Sequence, residues 1–173
     1  MSLTSDGAPA PMPATSLDAL AAQLDLASTT ADIIETVRAS ARRLIGSDGI
    51  ALVMRDGDHC HYVEEDAVGP LWKGKRFPMA TCISGWSMLH RQTVAISDIF
   101  LDQRIPHDLY RATFVRSLVM VPIRRDDPIG ALGAYWKRPY EASLAEVETV
   151  EALADAAATA LKNVPPASLA PRQ

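Results

Sequence analysis

The sequence predicts an α+β sandwich, in which one antiparallel sheet is covered by helices on both faces. Two segments have the strand and turn pattern of β-hairpins, and amphipathic helical segments lie at both ends of the chain. Both arms of the second hairpin are almost continuously apolar, which is typical of strands buried on both faces. We therefore expect the terminal helices on one face, and short helices and loops that form a pocket on the other.

Length, charge and cysteine content narrow the possible functions. The chain has 173 residues, the size of one ordinary domain with a real core. Its net charge of −4 gives no electrostatic basis for binding nucleic acid, and no apolar run approaches the roughly 20 residues of a membrane span. The N-terminus lacks the basic and apolar regions of a secretory signal. The two cysteines are too few for a disulfide framework and form no CxxC pair, so a reducing cytoplasm is the simplest interpretation.

Composition divides the chain into one domain and two flanking segments. Residues 1–15 and 164–173 are rich in Pro, Ala and Ser, so we expect both segments to be disordered. A single folded domain is then expected over residues 16–163.

The longer helices have recognisable ends in the sequence. Thr29 or Thr30 can accept the first backbone amides of the second helix, and Gly46 ends it, because glycine adopts the left-handed C-cap conformation at little cost. Ser143 begins the last helix, with Glu146 three residues later in the pattern of a capping box. The last helix also carries an alanine-rich stripe, which permits close approach of another helix.

The two hairpins are marked by apolar runs on either side of turn residues. The first joins residues 50–54 to residues 59–64 through a turn at Gly57, which tolerates a positive φ. The second joins residues 116–125 to residues 128–138. Shorter strands and helices are expected between the hairpins, at RFPM, ISGWSMLHRQ, TVAISD and DIFLDQRIPHDLYRAT.

Two segments resemble the signature of GAF domains. In CISGWSMLHRQTVAISDIFLDQRI a Gly-Trp helix start precedes a short strand and an Asp-led loop that ends in Asp-x-Arg. In SLVMVPIRRDDPIGALGAYW an apolar strand, a turn and Ile-Gly-x-Leu follow in the order of the family. The resemblance covers residues 17–162. It extends to the sensory GAF modules of bacterial two-component sensor histidine kinases, through EEDAVGPLWKGKRFPM and FVRSLVMVPIR.

The resemblance implies a six-stranded antiparallel sheet and a non-catalytic sensory or regulatory module of a bacterial two-component protein. Such a module binds a small ligand, mediates dimerisation, or does both, and its terminal helices imply a homodimer and a possible effector kinase as partner. The sequence carries neither a phosphoacceptor-histidine box nor an ATP-binding glycine motif, so we do not expect the chain itself to be a kinase.

The positions of the family's pocket elements give seven candidate residues for a ligand pocket. Trp72 is interpreted as either a surface anchor or an aromatic lid, and Trp86 as a core residue. Arg104 either pairs with Asp102 inside its loop or helps to bind an anionic ligand. The seven candidates are Trp72, Cys82, Trp86, Asp98, Arg104, Tyr110 and Arg116.

Histidines and a cysteine cluster in the first hairpin, at His59, Cys60 and His61. Side chains alternate along a strand, so the two histidines share one face and the cysteine points to the other. A metal or haem site would need a further ligand, for which His90 and His107 are candidates. We expect the histidines to be polar residues near solvent, without a metal.

Catalysis or a bound pigment is the alternative to a purely regulatory function. Some proteins of this family are cysteine-dependent free methionine sulfoxide reductases, and Cys82 lies at a helix start that favours a thiolate. However, Cys60 and Cys82 do not match the cysteine pattern of those enzymes. No cysteine follows RIPHDLY to attach a bilin, and the cyclic-nucleotide motif of the family is absent, so both ligands are disfavoured together with haem. A ligand-free dimerisation module remains a further alternative.

Overall fold

A computed structural model describes residues 13–166 of the chain. Five helices, six strands and two short 3-10 turns follow one another in this part of the chain. In chain order they are α1 (Leu17–Asp25), α2 (Thr30–Ile45), β1 (Gly49–Asp56), β2 (His59–Ala67), β3 (Arg76–Pro78), a 3-10 turn (Met79–Thr81), α3 (Ile83–His90), β4 (Val94–Ile96), a second 3-10 turn (Ile99–Leu101), α4 (His107–Arg111), β5 (Ser117–Ile123), β6 (Gly130–Trp136) and α5 (Leu144–Lys162).

The six strands form one sheet in the order β3-β2-β1-β6-β5-β4. Every neighbouring pair is antiparallel. The two long hairpins, β1–β2 and β5–β6, therefore meet at the centre, where β1 pairs with β6. This architecture confirms the α+β class and the six-stranded antiparallel sheet that the GAF resemblance implied.

Each face of the sheet has its own hydrophobic core. One core joins the sheet to α1, α2 and α5, and the other joins it to the α3 and α4 segment. All seven residues of β5 and all seven of β6 are buried, because both faces of these strands are covered. The expectation of terminal helices on one face and short helices on the other is confirmed.

The helix ends follow the predicted capping residues. Thr29 is the N-cap of α2 and forms a capping box with Asp32, and Gly46 ends the helix at φ +79°. Ser143 and Glu146 form the capping box of α5. These local contacts satisfy backbone amides that would otherwise lack a partner. None of the helices within residues 13–166 is long and apolar enough to span a membrane.

The packed part of the chain extends beyond the expected bounds of 16–163. Ala14 is buried, and its amide donates to Ser40 Oγ at 2.8 Å. At the other end, Val164 packs against the core of the terminal helices. The carbonyl of Pro165 accepts a hydrogen bond from Thr30 Oγ1 at 3.4 Å. Residues 1–12 and 167–173, which make up most of the two segments predicted to be disordered, lie outside the described residues.

Candidate functional site

The sheet face beneath α3 and α4 is filled by an aromatic cluster, which consists of Tyr62, Trp72, Tyr110 and Tyr135. The ring centroid of Trp72 lies 4.7 Å from that of Tyr110 and 5.5 Å from that of Tyr62, both in edge-on geometry. The ring of Tyr135 is 5.9 Å away. Edge-on pairs of this kind stabilise a fold by about 0.5–1.5 kcal/mol beyond burial alone. The cluster therefore occupies the face on which the sequence predicted a pocket.

Trp72 is a core residue, not the surface anchor or lid that its loop position suggested. Its side chain is only 2% exposed. The reason lies in Glu65 on β2, whose carboxylate accepts the backbone amides of Leu71 at 2.9 Å and Lys73 at 2.7 Å. By holding the residues on both sides of Trp72, this carboxylate folds the loop back over the sheet and turns the indole inward.

Two thiols lie in contact at the edge of the aromatic cluster. Cys60 on β2 and Cys82, the N-cap residue of α3, are both free and buried. Their sulfur atoms are 3.3 Å apart. The side chain of Cys82 is 5% exposed, whereas that of Cys60 has no exposure at all. The structure therefore brings together the only two cysteines of the sequence, from a strand and a helix start.

The sulfur of Cys82 has both donors and an acceptor around it, since the carbonyl oxygen of Pro78 also lies 3.6 Å away. Ser84 Oγ donates to Cys82 Sγ at 3.4 Å, and the hydroxyl of Tyr62 lies 3.1 Å from Ser84 Oγ. The hydrogen bond from Cys60 is the main cause that lowers the pKa of Cys82 to about 6, aided by Ser84 and the amide of Gly85 and opposed by burial. The same thiol contact, with burial, raises the pKa of Cys60. Of the two thiols, Cys82 is therefore the one that ionises more readily.

One hydroxyl of the aromatic cluster has no protein partner. Tyr135 is fully buried, and its Oη has no hydrogen-bond partner among residues 13–166. An unpaired buried hydroxyl costs about 1–3 kcal/mol. Burial also raises the pKa of Tyr135, so the group is a neutral phenol that can donate one hydrogen bond and accept others. The hydroxyl of Tyr135 is therefore an unsatisfied polar group within the aromatic cluster.

The Gly-Trp motif at the start of α3 has a packing reason. A Cβ atom on Gly85 would overlap the backbone of Met79, including its carbonyl oxygen. Only glycine therefore lets the first turn of α3 lie directly against the 3-10 turn at Met79–Thr81. This close approach fixes the position of Cys82, which connects the two elements.

A family model of the GAF domain matches residues 29–161. The chain belongs to the GAF domain family. GAF domains are generally sensory or regulatory modules. No curated protein matches the sequence.

Solved GAF structures share the fold at low sequence identity. The GAF domain of a phosphoenolpyruvate-protein phosphotransferase from Coxiella burnetii matches with a TM-score of 0.74 and 14% identity, over 84% of this chain and 90% of that chain. The free methionine-R-sulfoxide reductase from Neisseria meningitidis, solved with its substrate, matches at 0.73 and 16%, over 88% and 95%. The GAF-B domain of DevS from Mycobacterium smegmatis matches at 0.63 and 20%, over 77% and 93%. At these identities the likeness shows the fold alone.

Trp86 and Arg104 of this GAF domain meet at its surface. Trp86 is half-buried, so the prediction that it lies in the core is only partly right. Its ring stacks on that of His90 at 4.0 Å between centroids, and the Arg104 guanidinium lies 4.5 Å from the ring centroid. Arg104 also pairs with Asp102 through two hydrogen bonds, of 2.6 and 3.0 Å. The pairing interpretation is confirmed, and an anionic ligand would compete with Asp102 for this arginine.

The other two loop candidates have structural contacts of their own. Asp98 Oδ1 accepts the amide of Phe100 at 3.1 Å and so begins the second 3-10 turn. The Arg116 guanidinium lies 5.3 Å from the ring centroid of Phe100. The structure thus joins Trp72 and Tyr110 in one cluster beside Cys82, whereas Trp86, Asp98, Arg104 and Arg116 have surroundings of their own. A ligand-binding role for any of the seven stays a prediction.

The histidines of the first hairpin follow the predicted alternation. Cys60 is buried, while His59 and His61 on either side are only partly buried. His59 Nδ1 lies 2.7 Å from Asp58 Oδ1. Burial and the charge of Arg76 lower the pKa of His61. Within residues 13–166, no group of three or more His, Cys, Asp or Glu side chains is placed to hold a metal ion.

The sequence interpretation missed the contact between the two cysteines. It directed Cys60 to the face opposite the histidines, and it placed Cys82 at a helix start over the pocket face. It left open which side of the sheet Cys60 faces, so the contact between the two sulfurs was not predicted. It also missed Tyr62 and Tyr135, which share that face and complete the surroundings of Trp72.

Proposed function

We propose that this GAF domain is a non-catalytic regulatory module of a bacterial two-component protein, acting in the cytoplasm. Its input face is the aromatic cluster with the Cys60–Cys82 pair, and its output element is α5. A small ligand that enters the input face displaces Trp72 and pairs with the Tyr135 hydroxyl. The response then passes to the terminal helices, which form a homodimer and contact an effector domain.

One polar contact between the two layers carries this proposal. Glu151 on α5 accepts a hydrogen bond from Thr93 Oγ1 at 3.2 Å and pairs with Arg125 at 3.3 Å. Thr93 follows directly on the C-terminal turn of α3, whose N-cap is Cys82. A shift of α3 therefore reaches α5 through Glu151, around the edge of the sheet instead of through its fully packed centre.

The Glu65 carboxylate supports ligand entry at the aromatic cluster. It holds the backbone of the Trp72 loop through two amides, which have no other acceptor among residues 13–166. Release of these two bonds loosens the loop at Trp72, while the backbone hydrogen bonds of Tyr62 with Gly74 and Lys75 still hold its C-terminal end on β2. The filled cluster is then the unliganded state of the domain.

A double-mutant cycle tests the relay between the two faces. Trp72→Phe perturbs the input face mildly, and Glu151→Ala removes the contact with Thr93 and Arg125. Independent sites give additive changes in unfolding free energy within about 0.3–0.5 kcal/mol. We expect a coupling energy above this limit, and additivity would contradict the relay. Glu148→Ala, at an exposed position of the same helix, is the matched control and should be additive with Trp72→Phe.

The thiol pair favours one enzymatic alternative, a cysteine-dependent free methionine sulfoxide reductase. Against this alternative, Cys60 and Cys82 do not match the cysteine pattern of those enzymes, and both thiols are buried. Turnover of free methionine sulfoxide with a dithiol reductant, lost in Cys82→Ser, would replace the regulatory assignment with this enzyme. We expect no turnover by either protein.

Native mass spectrometry of the freshly purified protein tests the remaining parts of the proposal. A dimer mass supports assembly through the terminal helices, and a monomer at micromolar concentration contradicts it. A retained small molecule that is lost in Trp72→Ala supports a ligand site at the aromatic cluster. A ligand-free dimer that no small molecule stabilises against heating would instead indicate a dimerisation module alone.

A further inference from the structure

We propose that Cys60 and Cys82 form a reversible disulfide when the protein meets a small hydroperoxide. The pair is then an oxidant-responsive element in the core beneath α3. The disulfide itself does not depend on the proposed regulatory function, whereas its signalling consequence does.

The two sulfur atoms are already close to bonding distance. A disulfide bond is about 2.05 Å long, so the sulfurs must approach by about 1.3 Å from their separation of 3.3 Å. Cys60 lies on β2 at a position that pairs with both β1 and β3, so the strand holds it in place. Cys82 lies at the junction between the first 3-10 turn and α3. When the disulfide forms, the backbone at this junction therefore moves towards Cys60 on β2.

The two thiols differ in exposure and in hydrogen bonding, and therefore in their roles. Cys82 receives hydrogen bonds from Ser84 and from the amide of Gly85, which stabilise its thiolate. It is also slightly exposed, while Cys60 is completely buried. Cys82 is therefore the thiol that meets the oxidant, and Cys60 is the protonated partner that resolves the first product.

The reaction proceeds in two steps that balance. The Cys82 thiolate attacks one oxygen of the hydroperoxide ROOH; an S–O bond forms, the O–O bond breaks, and ROH leaves with the proton that Cys82 had released. The Cys60 sulfur then attacks the Cys82 sulfur; the S–S bond forms, the S–O bond breaks, and the hydroxyl leaves as water with the proton of Cys60. The two thiols lose two electrons, and the hydroperoxide gains them. A dithiol reductant returns the pair to the free thiols.

The surroundings of the pair favour the disulfide over further oxidation. The reacting sulfur of Cys82 is only slightly exposed, and its partner thiol is already in contact. A sulfenic acid on Cys82 is therefore attacked by Cys60 before a second oxidant molecule arrives. Because Gly85 packs directly on Met79, the pull on Cys82 moves α3 and the 3-10 turn together.

The test treats the full chain with hydrogen peroxide and maps the products by mass spectrometry without reduction. The expected result is a peptide pair joined through Cys60 and Cys82, which is lost on treatment with dithiothreitol. Cys60→Ser should stop at a sulfenic acid that dimedone traps on Cys82, and Cys82→Ser should stay unmodified at the same peroxide dose. Near-ultraviolet circular dichroism of both serine variants verifies that they are folded.

Two results would overturn the proposal. One is a wild-type protein whose thiols both survive a peroxide dose that oxidises a free thiol in solution. The other is a wild-type protein in which Cys82 proceeds to sulfinic acid without a disulfide. A disulfide that forms but leaves α5 unchanged would support the proposal and contradict the relay through Glu151. If no disulfide forms but the double-mutant cycle shows coupling between Trp72 and Glu151, only the disulfide proposal is overturned.

Discussion

Thr93 Oγ1 donates a hydrogen bond to Glu151 Oε1 at 3.2 Å, which joins the end of the α3 segment to α5 on the other layer of the fold. Arg125 completes the contact with a 3.3 Å ion pair to the same carboxylate. Ion pairs and hydrogen bonds at this level of exposure contribute little to stability, on the order of 0–1 kcal/mol. We therefore expect Glu151 to couple the α3 segment to α5 and to contribute little to the free energy of unfolding.

Glu151→Ala should lower the unfolding free energy by less than about 1 kcal/mol, because a partly exposed pair is lost. It should nevertheless raise amide exchange locally in residues 91–96, where Thr93 loses its partner. Denaturant unfolding and hydrogen exchange measure the two effects. Glu148→Ala, at an exposed site on α5, should change neither, and a loss of several kcal/mol in Glu151→Ala would mean that the contact is mainly structural.

Glu65→Gln should loosen the loop that carries Trp72, because the neutral amide is a weaker acceptor and offers only one oxygen to the amides of Leu71 and Lys73. We expect a loss of about 1–3 kcal/mol in unfolding free energy. In a Trp86→Phe background, acrylamide quenching of tryptophan fluorescence should increase. Glu64→Gln removes only the ion pair to Lys73 and serves as the control. Equal quenching in both variants would contradict the role of Glu65.

Gly85→Ala should destabilise the domain by about 1–3 kcal/mol or more, since the new methyl group would overlap the backbone of Met79. Gly69→Ala is the matched control, because a Cβ there meets only the edge of Phe114 at an ordinary contact distance of 3.5 Å. Thermal unfolding measures both variants. If the two melt at the same temperature, α3 does not pack on the 3-10 turn as described.

Alkylation of Cys82 should depend on pH in a way that differs from an ordinary thiol. Only the thiolate reacts, and the pKa of Cys82 is lowered to about 6, so its reactivity should be present at pH 7 and fall as the pH drops through about 6. The nearby groups that also titrate, Cys60 and the three tyrosines of the aromatic cluster, have raised pKa values and stay protonated in this range.

Iodoacetamide labelling, quenched and mapped to each cysteine, measures this dependence. Cys60 should be labelled far more slowly at every pH, because it is buried and protonated. A midpoint for Cys82 near pH 8.5, the ordinary value for a thiol, would contradict its assignment as the thiol of the pair that ionises more readily.

Features that depend on local contacts could be predicted from the sequence. The caps at Thr29, Gly46 and Ser143 each involve residues no more than four positions apart, so their signals lie in short windows. Strand alternation likewise separated Cys60 from its histidine neighbours. The six-stranded antiparallel sheet followed from the resemblance to the GAF family, whereas its strand order was not predicted, because hairpins alone do not determine how β1 meets β6.

Features that depend on contacts between elements could not be predicted in this way. Trp72 was assigned to an exposed loop because nothing in its own window indicates that Glu65 holds the loop from the neighbouring strand. The contact between Cys60 and Cys82 requires both the register of β2 and the close packing that Gly85 permits. Strand and helix patterns specify neither of these, so the main chemical feature of the site emerged only from the structure.

We claim that the input face beneath α3 controls α5 through Glu151. Amide hydrogen exchange along α5 tests this claim most directly. Trp72→Phe should change the exchange of Leu144–Lys162 in the wild-type background, and the change should disappear when Glu151→Ala is added. Exchange along α5 that is the same with and without Trp72→Phe, or a change that persists in Glu151→Ala, would contradict the claim.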